Sequence, residues 1–173
     1  EIIPSMQRLK HDLDIKLKLE AILIDLPKQY IMQFMNQIIH TCNKWIAKVW
    51  DHDMELLPIK STDDLDYSLK VKLYNKHVAE DVSMCSDGEQ EIINFSFCQA
   101  ILKQKGMLDK YPIKLDEPDA GLTKGHRSKF LSILSELVDT EQIKQLLLVN
   151  HHNSLFTAFS NNQTICLNSE GIL

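Results

Sequence analysis

Glycine and cysteine are scarce in this sequence, and each shortage excludes a class of site. Only five glycines occur among its 173 residues, and nowhere do they form the Gly-x-x-x-x-Gly-Lys-Ser/Thr loop that cradles nucleotide phosphates. The four cysteines include no Cys-x-x-Cys pair, which argues against a zinc site and against a disulfide framework. We therefore expect a protein of the reducing cytoplasm, with any phosphate-binding loop outside this chain.

Long apolar runs and an excess of positive charge are also missing. No apolar run approaches the roughly 20 residues needed to span a bilayer, so we expect no membrane partner. The formal charge of −5 means that nucleic acid would have to bind at a local patch or outside this chain. Hydrophobic residues make up 44% of the chain, enough for one domain with a sizeable core. Because the first residue is Glu1 and not methionine, we expect a fragment of a longer protein.

The stretch from Tyr111 to Thr123 predicts a short buried strand that ends in two adjacent carboxylates, Asp116 and Glu117. Adjacent acids repel each other and resist burial, so such a strand usually delivers them to the C-terminal edge of a sheet, where a metal ion or substrate binds. Gly121 would ease the turn that follows. An ordinary strand-to-turn junction with two solvated acids has the same composition, and the pair alone does not decide between these interpretations.

A helix is predicted to begin within residues 85–90. Ser86 followed three residues later by Glu89 is the pattern of a capping box, a helix start with no catalytic meaning. The same arrangement suits phosphate, because free backbone N–H groups and the helix dipole converge on the serine hydroxyl and on Gly88. Both interpretations can hold at once. We expect Gly106 to end this helix.

A second apolar strand, Leu146–Val149, follows an amphipathic helix over residues 130–138. Strand, helix and strand of these lengths indicate a parallel crossover, which brings both strand ends to one edge of the sheet. His151 should therefore lie near Asp116 and Glu117. A lone histidine after a strand is more often structural, and its position relative to the carboxylates is what favours a functional role.

The N-terminal part of the chain is predicted to be mostly helical. Residues 5–26 have the spacing of an amphipathic helix, either the returning arm of a coiled coil or an ordinary surface helix. Pro27 is predicted to break or restart the pattern, and residues 30–49 then form the apolar stripe of a helix packed on a core. Residues 54–60 and 68–74 are predicted to pair as antiparallel strands.

Four predicted features occur in this order: the helix start, the strand with two acids, the second strand and a closing strand within residues 163–172. Together they resemble the C-terminal lobe of an ABC-type ATPase head. The resemblance covers residues 54–173 and is to the SMC and SbcC-like branch in particular. It implies an α/β fold of the P-loop NTPase type, with a parallel sheet core and flanking helices. Residues 1–50 would be a helical segment at the base of a returning coiled coil, and residues 51–173 the lobe itself.

The resemblance also implies a role for each matched residue. Asp116 and Glu117 match Walker B, in which the first acid supports Mg²⁺ and the second activates water. His151 matches the switch histidine that contacts the γ-phosphate, which makes Glu117 and His151 the catalytic residues. The signature motif and the D-loop would supply the ATP-binding residues Ser86, Gly88, Glu89, Gln90 and Asp119.

Heads of this branch bind ATP and Mg²⁺ between two copies, and their Walker A loop lies in an N-terminal lobe beyond a long coiled coil. The resemblance therefore implies a head dimer that hydrolyses ATP and acts on DNA in repair or recombination, together with a nuclease subunit. Two alternatives stay open: the ATPase motor of a transporter, and a clamp that closes on nucleotide without useful hydrolysis. Three residues depart from the family pattern: Cys85 for leucine, Asp87 for the first signature glycine and Thr123 for the last D-loop aspartate. Of these, Asp87 and Thr123 favour the clamp.

Overall fold

The computed structural model describes residues 2–51, 53–62, 68–74, 77–118, 120–149, 159, 167–168 and 171–172, with side chains described from residue 6 to residue 159 within these ranges. Within these ranges the chain forms three α-helices and seven short strands. In order they are α1 (Ile2–Val49), β1 (Glu55–Leu56), β2 (Val71–Lys72), β3 (Val78–Ala79), a 3₁₀ turn (Val82–Met84), α2 (Asp87–Gln104), β4 (Ile113–Asp116), α3 (Lys124–Asp139), β5 (Leu146–Val149), β6 (Leu167–Asn168) and β7 (Gly171–Ile172).

Helix α1 is continuous for 48 residues, and the prediction that Pro27 breaks or restarts it was wrong. A proline inside a helix removes one backbone hydrogen bond and costs about 3 kcal/mol. Strong helix formers such as leucine, lysine and glutamine flank it here and offset that cost. The Gln29 side-chain amide also donates to the Asp25 carboxylate at 2.5 Å, a bond that spans the proline.

The two halves of α1 differ sharply in burial. Leu9, Leu13, Ile22 and Leu26 in the first half are 57–69% exposed. An ordinary amphipathic surface helix would bury such a stripe on its own domain, so this exposure favours the coiled-coil alternative. The second half packs as predicted: the predicted stripe residues Ile38, Cys42, Ile46 and Val49 are all buried to 2% exposure or less.

The predicted antiparallel pair is confirmed, and a third strand extends it. Strand β1 pairs with β2 through Leu56 and Val71, and β2 pairs in turn with β3, which the sequence did not predict. Two asparagines of α1 fix this sheet to the helix. The Asn43 amide exchanges hydrogen bonds of 2.9 and 2.8 Å with the backbone of Leu56.

Asn36, two turns earlier, repeats the arrangement on the backbone of Ile59, at 2.9 and 2.8 Å. Each amide thus pairs with extended backbone as a neighbouring strand would, Asn43 with β1 and Asn36 with the segment after it, which satisfies backbone groups that have no other partner in a ladder.

The predicted parallel crossover is also confirmed. Strand β5 pairs with β4 in parallel, with Ile113 opposite Leu146 and Asp116 opposite Val149, and α3 connects the two strands. The core lies between the helices, where the rings of Phe95 on α2 and Phe130 on α3 meet edge to face at 5.0 Å.

Helix α2 ends as predicted at Gly106, whose φ of 61° is the left-handed conformation of a helix C-terminus. The backbone N–H of Gly106 donates to the carbonyl of Lys103, and that of Met107 donates to the carbonyl of Leu102. These are the two hydrogen bonds of a Schellman motif.

The closing segment contains β6 and β7, which pair as a short antiparallel hairpin. Among the described residues, no helix combines the length and the apolar content that crossing a bilayer requires.

Candidate functional site

The first part of the site is the serine turn, residues 85–90, at the start of α2. Ser86 is the N-cap residue, and the Glu89 carboxylate accepts hydrogen bonds from its backbone N–H at 2.8 Å and from its hydroxyl at 2.7 Å. The Gln90 side-chain amide donates to the carbonyl of Cys85 at 2.7 Å. Two side chains that follow the turn therefore hold it in place, and the predicted capping interaction is present.

The approach to the serine turn is equally constrained. Asp81 caps the 3₁₀ turn by accepting from the Ser83 backbone N–H at 2.9 Å. Hydrogen bonds from the Ser83 hydroxyl and backbone to the carboxylate hold the pKa of Asp81 below its usual value. Burial raises the pKa of the Cys85 thiol, whose side chain occupies the apolar position expected for leucine. Cys85 thus keeps the buried character of the residue that it replaces.

The second part is the acidic turn, residues 116–118 and 120–121, at the end of β4. Asp116 and Glu117 are both exposed at the C-terminal edge of the parallel pair. The Glu117 backbone N–H donates to the carbonyl of Val149 at 2.9 Å, so pairing with β5 continues one residue past the strand. Glu117 itself has a φ of 46°, a left-handed conformation that costs a non-glycine residue about 1–2 kcal/mol.

Gly121 has a different role from the one predicted. The left-handed residue of the acidic turn is Glu117, and among glycines the positive φ is at Gly106. Gly121 instead packs against the backbone of Gly88: a Cβ atom on Gly88 would lie 2.4 Å from the Gly121 carbonyl oxygen. This contact brings the acidic turn and the serine turn together. The sequence offered one signal for this contact, a glycine in each of two predicted turns of a glycine-poor chain. That signal does not show that the two glycines meet, because their contact depends on the tertiary structure.

Thr123 has a local structural role that accounts for its departure from the D-loop pattern. It is the N-cap residue of α3, and its hydroxyl accepts from the His126 backbone N–H at 3.4 Å. Threonine and aspartate are both good N-cap residues, so the replacement keeps the helix start. Of the other predicted site residues, Asp119 and His151 lie outside the described residues.

The donor set at the acidic turn suits Mg²⁺ held jointly with phosphate. Across the described ranges there is no cluster of three histidine, cysteine, aspartate or glutamate side chains able to hold a metal ion by itself. Mg²⁺ seldom needs such a cluster, because it usually binds one or two carboxylates together with substrate phosphates and water. The exposed Asp116 carboxylate at a sheet edge fits that mode.

The serine turn suits the phosphate. The first N–H groups of an α-helix lack intrahelical partners and can bind an anion. In α2 these groups lie at the exposed Ser86 and close to Gly88. Asp87 stands next to them and is exposed, which adds one negative charge to this surface.

Comparison with solved structures identifies the architecture. A structure from work on ATP-driven dimerisation and DNA-stimulated activation of SMC ATPases matches 84% of this chain and 86% of its own, at 16% identity and a TM-score of 0.65. The Smc head with coiled coil and joint from Pyrococcus yayanosii matches 96% of this chain, at 15% identity and a TM-score of 0.65. The fold is that of an SMC head domain.

A third SMC head, from Pyrococcus furiosus with an extended coiled coil and bound to the C-terminal domain of ScpA, matches 90% of this chain at 18% identity and a TM-score of 0.58. The chain spans 38% of that structure and 31% of the Pyrococcus yayanosii structure. No protein-family model and no curated protein sequence matches the chain. The predicted fold class, an ABC-type P-loop NTPase head with a parallel sheet pair and flanking helices, is confirmed.

Proposed function

We propose that this chain is the C-terminal lobe of an SMC-type head that binds and hydrolyses ATP with Mg²⁺. The observation that supports it most is the meeting of two turns: a strand-end pair of acids and a helix start with serine and glycine touch through Gly88 and Gly121. ATP hydrolysis requires one group to support Mg²⁺, one to orient water and one to hold phosphate. The two turns offer all three.

In this proposal each residue keeps the role that the resemblance implies. Asp116 supports Mg²⁺, which when bound would neutralise phosphate charge. Glu117 accepts the proton of the attacking water, and His151 contacts the γ-phosphate. The ATP-binding residues are Ser86, Gly88, Glu89, Gln90 and Asp119.

The Glu89 carboxylate orients the Ser86 hydroxyl before ATP arrives. Because the hydroxyl is the donor in that bond, it must rotate away from Glu89 before it can donate to a phosphate oxygen. After this rotation the Glu89 carboxylate still accepts the hydrogen bond from the Ser86 backbone N–H.

The phosphate cradle comes from a second lobe, because these 173 residues contain no Walker A loop. Two heads would enclose ATP, each contributing its serine turn to the nucleotide of the other. DNA is proposed as the effector, since a similar structure comes from work on DNA-stimulated SMC ATPases. Membership of the SbcC-like repair branch, with a nuclease subunit, rests on the sequence resemblance.

One observation favours the clamp without hydrolysis as a second candidate. The exposed Asp87 carboxylate places a negative charge at the serine turn, where it repels the phosphate and disfavours the geometry that hydrolysis requires. Turnover measurements separate the two candidates.

The deciding experiment measures ATP turnover and ATP-dependent head dimerisation of the complete protein, with and without DNA, for the wild type and Glu117→Gln. A positioned general base contributes about 10²- to 10⁴-fold, so turnover should fall by that factor while an ATP-bound dimer accumulates. Glu141→Gln is the matched control, because Glu141 is also a left-handed glutamate, at the end of α3. Unchanged turnover in Glu117→Gln would refute the assignment, and a wild type that dimerises without turnover would support the clamp.

A further inference from the structure

The parallel pair of β4 and β5 has one covered face and one open face. Ile113 is buried on the covered face, which packs against the core. On the open face Leu147 and Val149 are 46% and 48% exposed, and Lys114 and Asp116 are exposed beside them. Parallel sheets are almost always covered on both faces, so we expect the second lobe of the proposed function to lie against the open one.

Lys114 is an unusual residue for this place. Strands of parallel sheets are mostly apolar, yet Lys114 stands in the middle of β4 with Leu147 opposite it in register. Asp116 follows two residues later on the same face, with Val149 opposite. Strands β4 and β5 contain no other carboxylate. The open face therefore presents one positive and one negative charge among apolar side chains.

The two charges are close enough to meet. A strand rises about 3.3 Å per residue, so the α-carbons of Lys114 and Asp116 lie about 6.6 Å apart. The flexible four-carbon stem of lysine can span that distance. While the face is open, water solvates both groups. Once the second lobe covers it, an ammonium without a counter-charge becomes costly, and Asp116 is the nearest carboxylate along the strand.

We propose that Lys114 is a positioning residue that holds the Asp116 carboxylate in the metal-free head and competes with Mg²⁺ for it. Asp116 must release the ammonium when it takes up Mg²⁺, so Lys114 raises the Mg²⁺ concentration that the head requires. The inference rests on the proposed function, in which Asp116 supports Mg²⁺. It adds a charge within the chain that sets how readily the metal site fills.

The first measurement is Mg²⁺ binding by the complete protein at saturating ADP, a nucleotide that allows no turnover. Lys114→Met keeps an unbranched apolar stem and removes the charge. From the Coulomb interaction of charges about 4 Å apart, we expect the dissociation constant for Mg²⁺ to fall by about 5- to 10-fold. Lys114→Arg keeps the charge and should stay close to the wild type. Lys110→Met, at an exposed lysine in the turn before β4, is the matched control and should change nothing.

A double-mutant cycle tests whether Lys114 acts through Asp116. In an Asp116→Asn background, Lys114→Met should no longer tighten Mg²⁺ binding, because the carboxylate that the ammonium holds is gone. The same four proteins are then compared by thermal unfolding without metal or nucleotide. If the two side chains pair in the metal-free head, the two shifts in Tm should not add. This second readout depends on neither Mg²⁺ nor activity.

Three results would overturn the inference. Tighter Mg²⁺ binding that persists in the Asp116→Asn background would mean that Lys114 repels the metal directly. Weaker ADP binding by Lys114→Met without Mg²⁺ would make Lys114 a phosphate-binding residue. Shifts in Tm that add would mean that Lys114 has a counter-charge other than Asp116. If Asp116→Asn alone leaves Mg²⁺ binding unchanged, the metal assignment of the proposed function has failed, and the cycle in Tm still decides whether the pair exists.

Discussion

The serine turn and the acidic turn are built on different principles although they touch. Side chains hold the serine turn: Glu89 and Gln90 reach back to Ser86 and Cys85, and each bond is 2.7–2.8 Å long. Backbone pairing and a left-handed residue hold the acidic turn, through the bond from Glu117 to Val149.

The difference matches the proposed tasks of the two turns. A surface that receives phosphate from another head benefits from a backbone that is fixed in advance, because fewer groups must be ordered on association. A carboxylate that accepts a proton must be held by its backbone while its oxygens face the reacting water. The following variants test whether the two turns respond as differently as they are built.

Asp116→Asn should have the largest effect among them. Removal of a carboxylate that supports a metal through its ligands typically lowers metal affinity about 10- to 100-fold. We therefore expect the Mg²⁺ concentration at half-maximal turnover to rise by that factor, measured by titration of the complete protein at saturating ATP. Asp12→Asn, an exposed aspartate on the first half of α1, is the control. An unchanged Mg²⁺ dependence would remove Asp116 from the metal site.

Glu117→Gly should be more stable than Glu117→Ala by about 1 kcal/mol, since only alanine retains the strain of a left-handed backbone. Both variants lose the carboxylate, so the loss of its contacts contributes equally to the two stabilities and cancels in their difference. Thermal unfolding measures the difference. The same exchange at Glu141, with a φ of 55°, should show a similar difference but leave turnover intact. Equal stability of the two Glu117 variants would mean that its backbone stores no strain.

Asp87→Gly tests the charge at the serine turn. Two unit charges 4 Å apart in water interact by about 1 kcal/mol, so its removal should tighten ATP-dependent association about fivefold. Asp87→Asn keeps the size of the side chain and should reproduce most of this gain, since the charge is the cause. Raising the salt concentration should shrink the difference from wild type. Weaker association in both variants would show that Asp87 contributes a contact of its own.

Local patterns in the sequence predicted the parts of the site that depend on neighbours in the chain. The parallel strands β4 and β5, the capping of α2 by Ser86 and Glu89 and the end of α2 at Gly106 all follow from spacing and residue type. Such signals are encoded within a few residues, so one sequence is enough to find them.

The missed features depend on residues far apart in the sequence. Asn36 and Asn43 look like ordinary polar residues of a helix, and their pairing with β1 and the segment after it becomes visible only when the two elements are packed. Gly88 and Gly121 are 33 positions apart, and either alone suggests a turn. Pro27 shows the converse: a strong local signal was overridden by the helix formers around it.

Acid should weaken the cap of the 3₁₀ turn that leads into the serine turn, through Asp81, and this is the smallest of the expected effects. The pKa of Asp81 is lower in the folded state than its usual 3.8, so its contribution to stability is complete above pH 3.8 and is lost as the pH falls through the lower, folded value. Asp81→Asn keeps an oxygen that can cap Ser83 but does not titrate. The free energy of unfolding, measured from pH 6 to pH 2.5, should therefore fall less steeply in the variant. Parallel curves for the two proteins would mean that the hydrogen bonds from Ser83 do not favour the charged carboxylate.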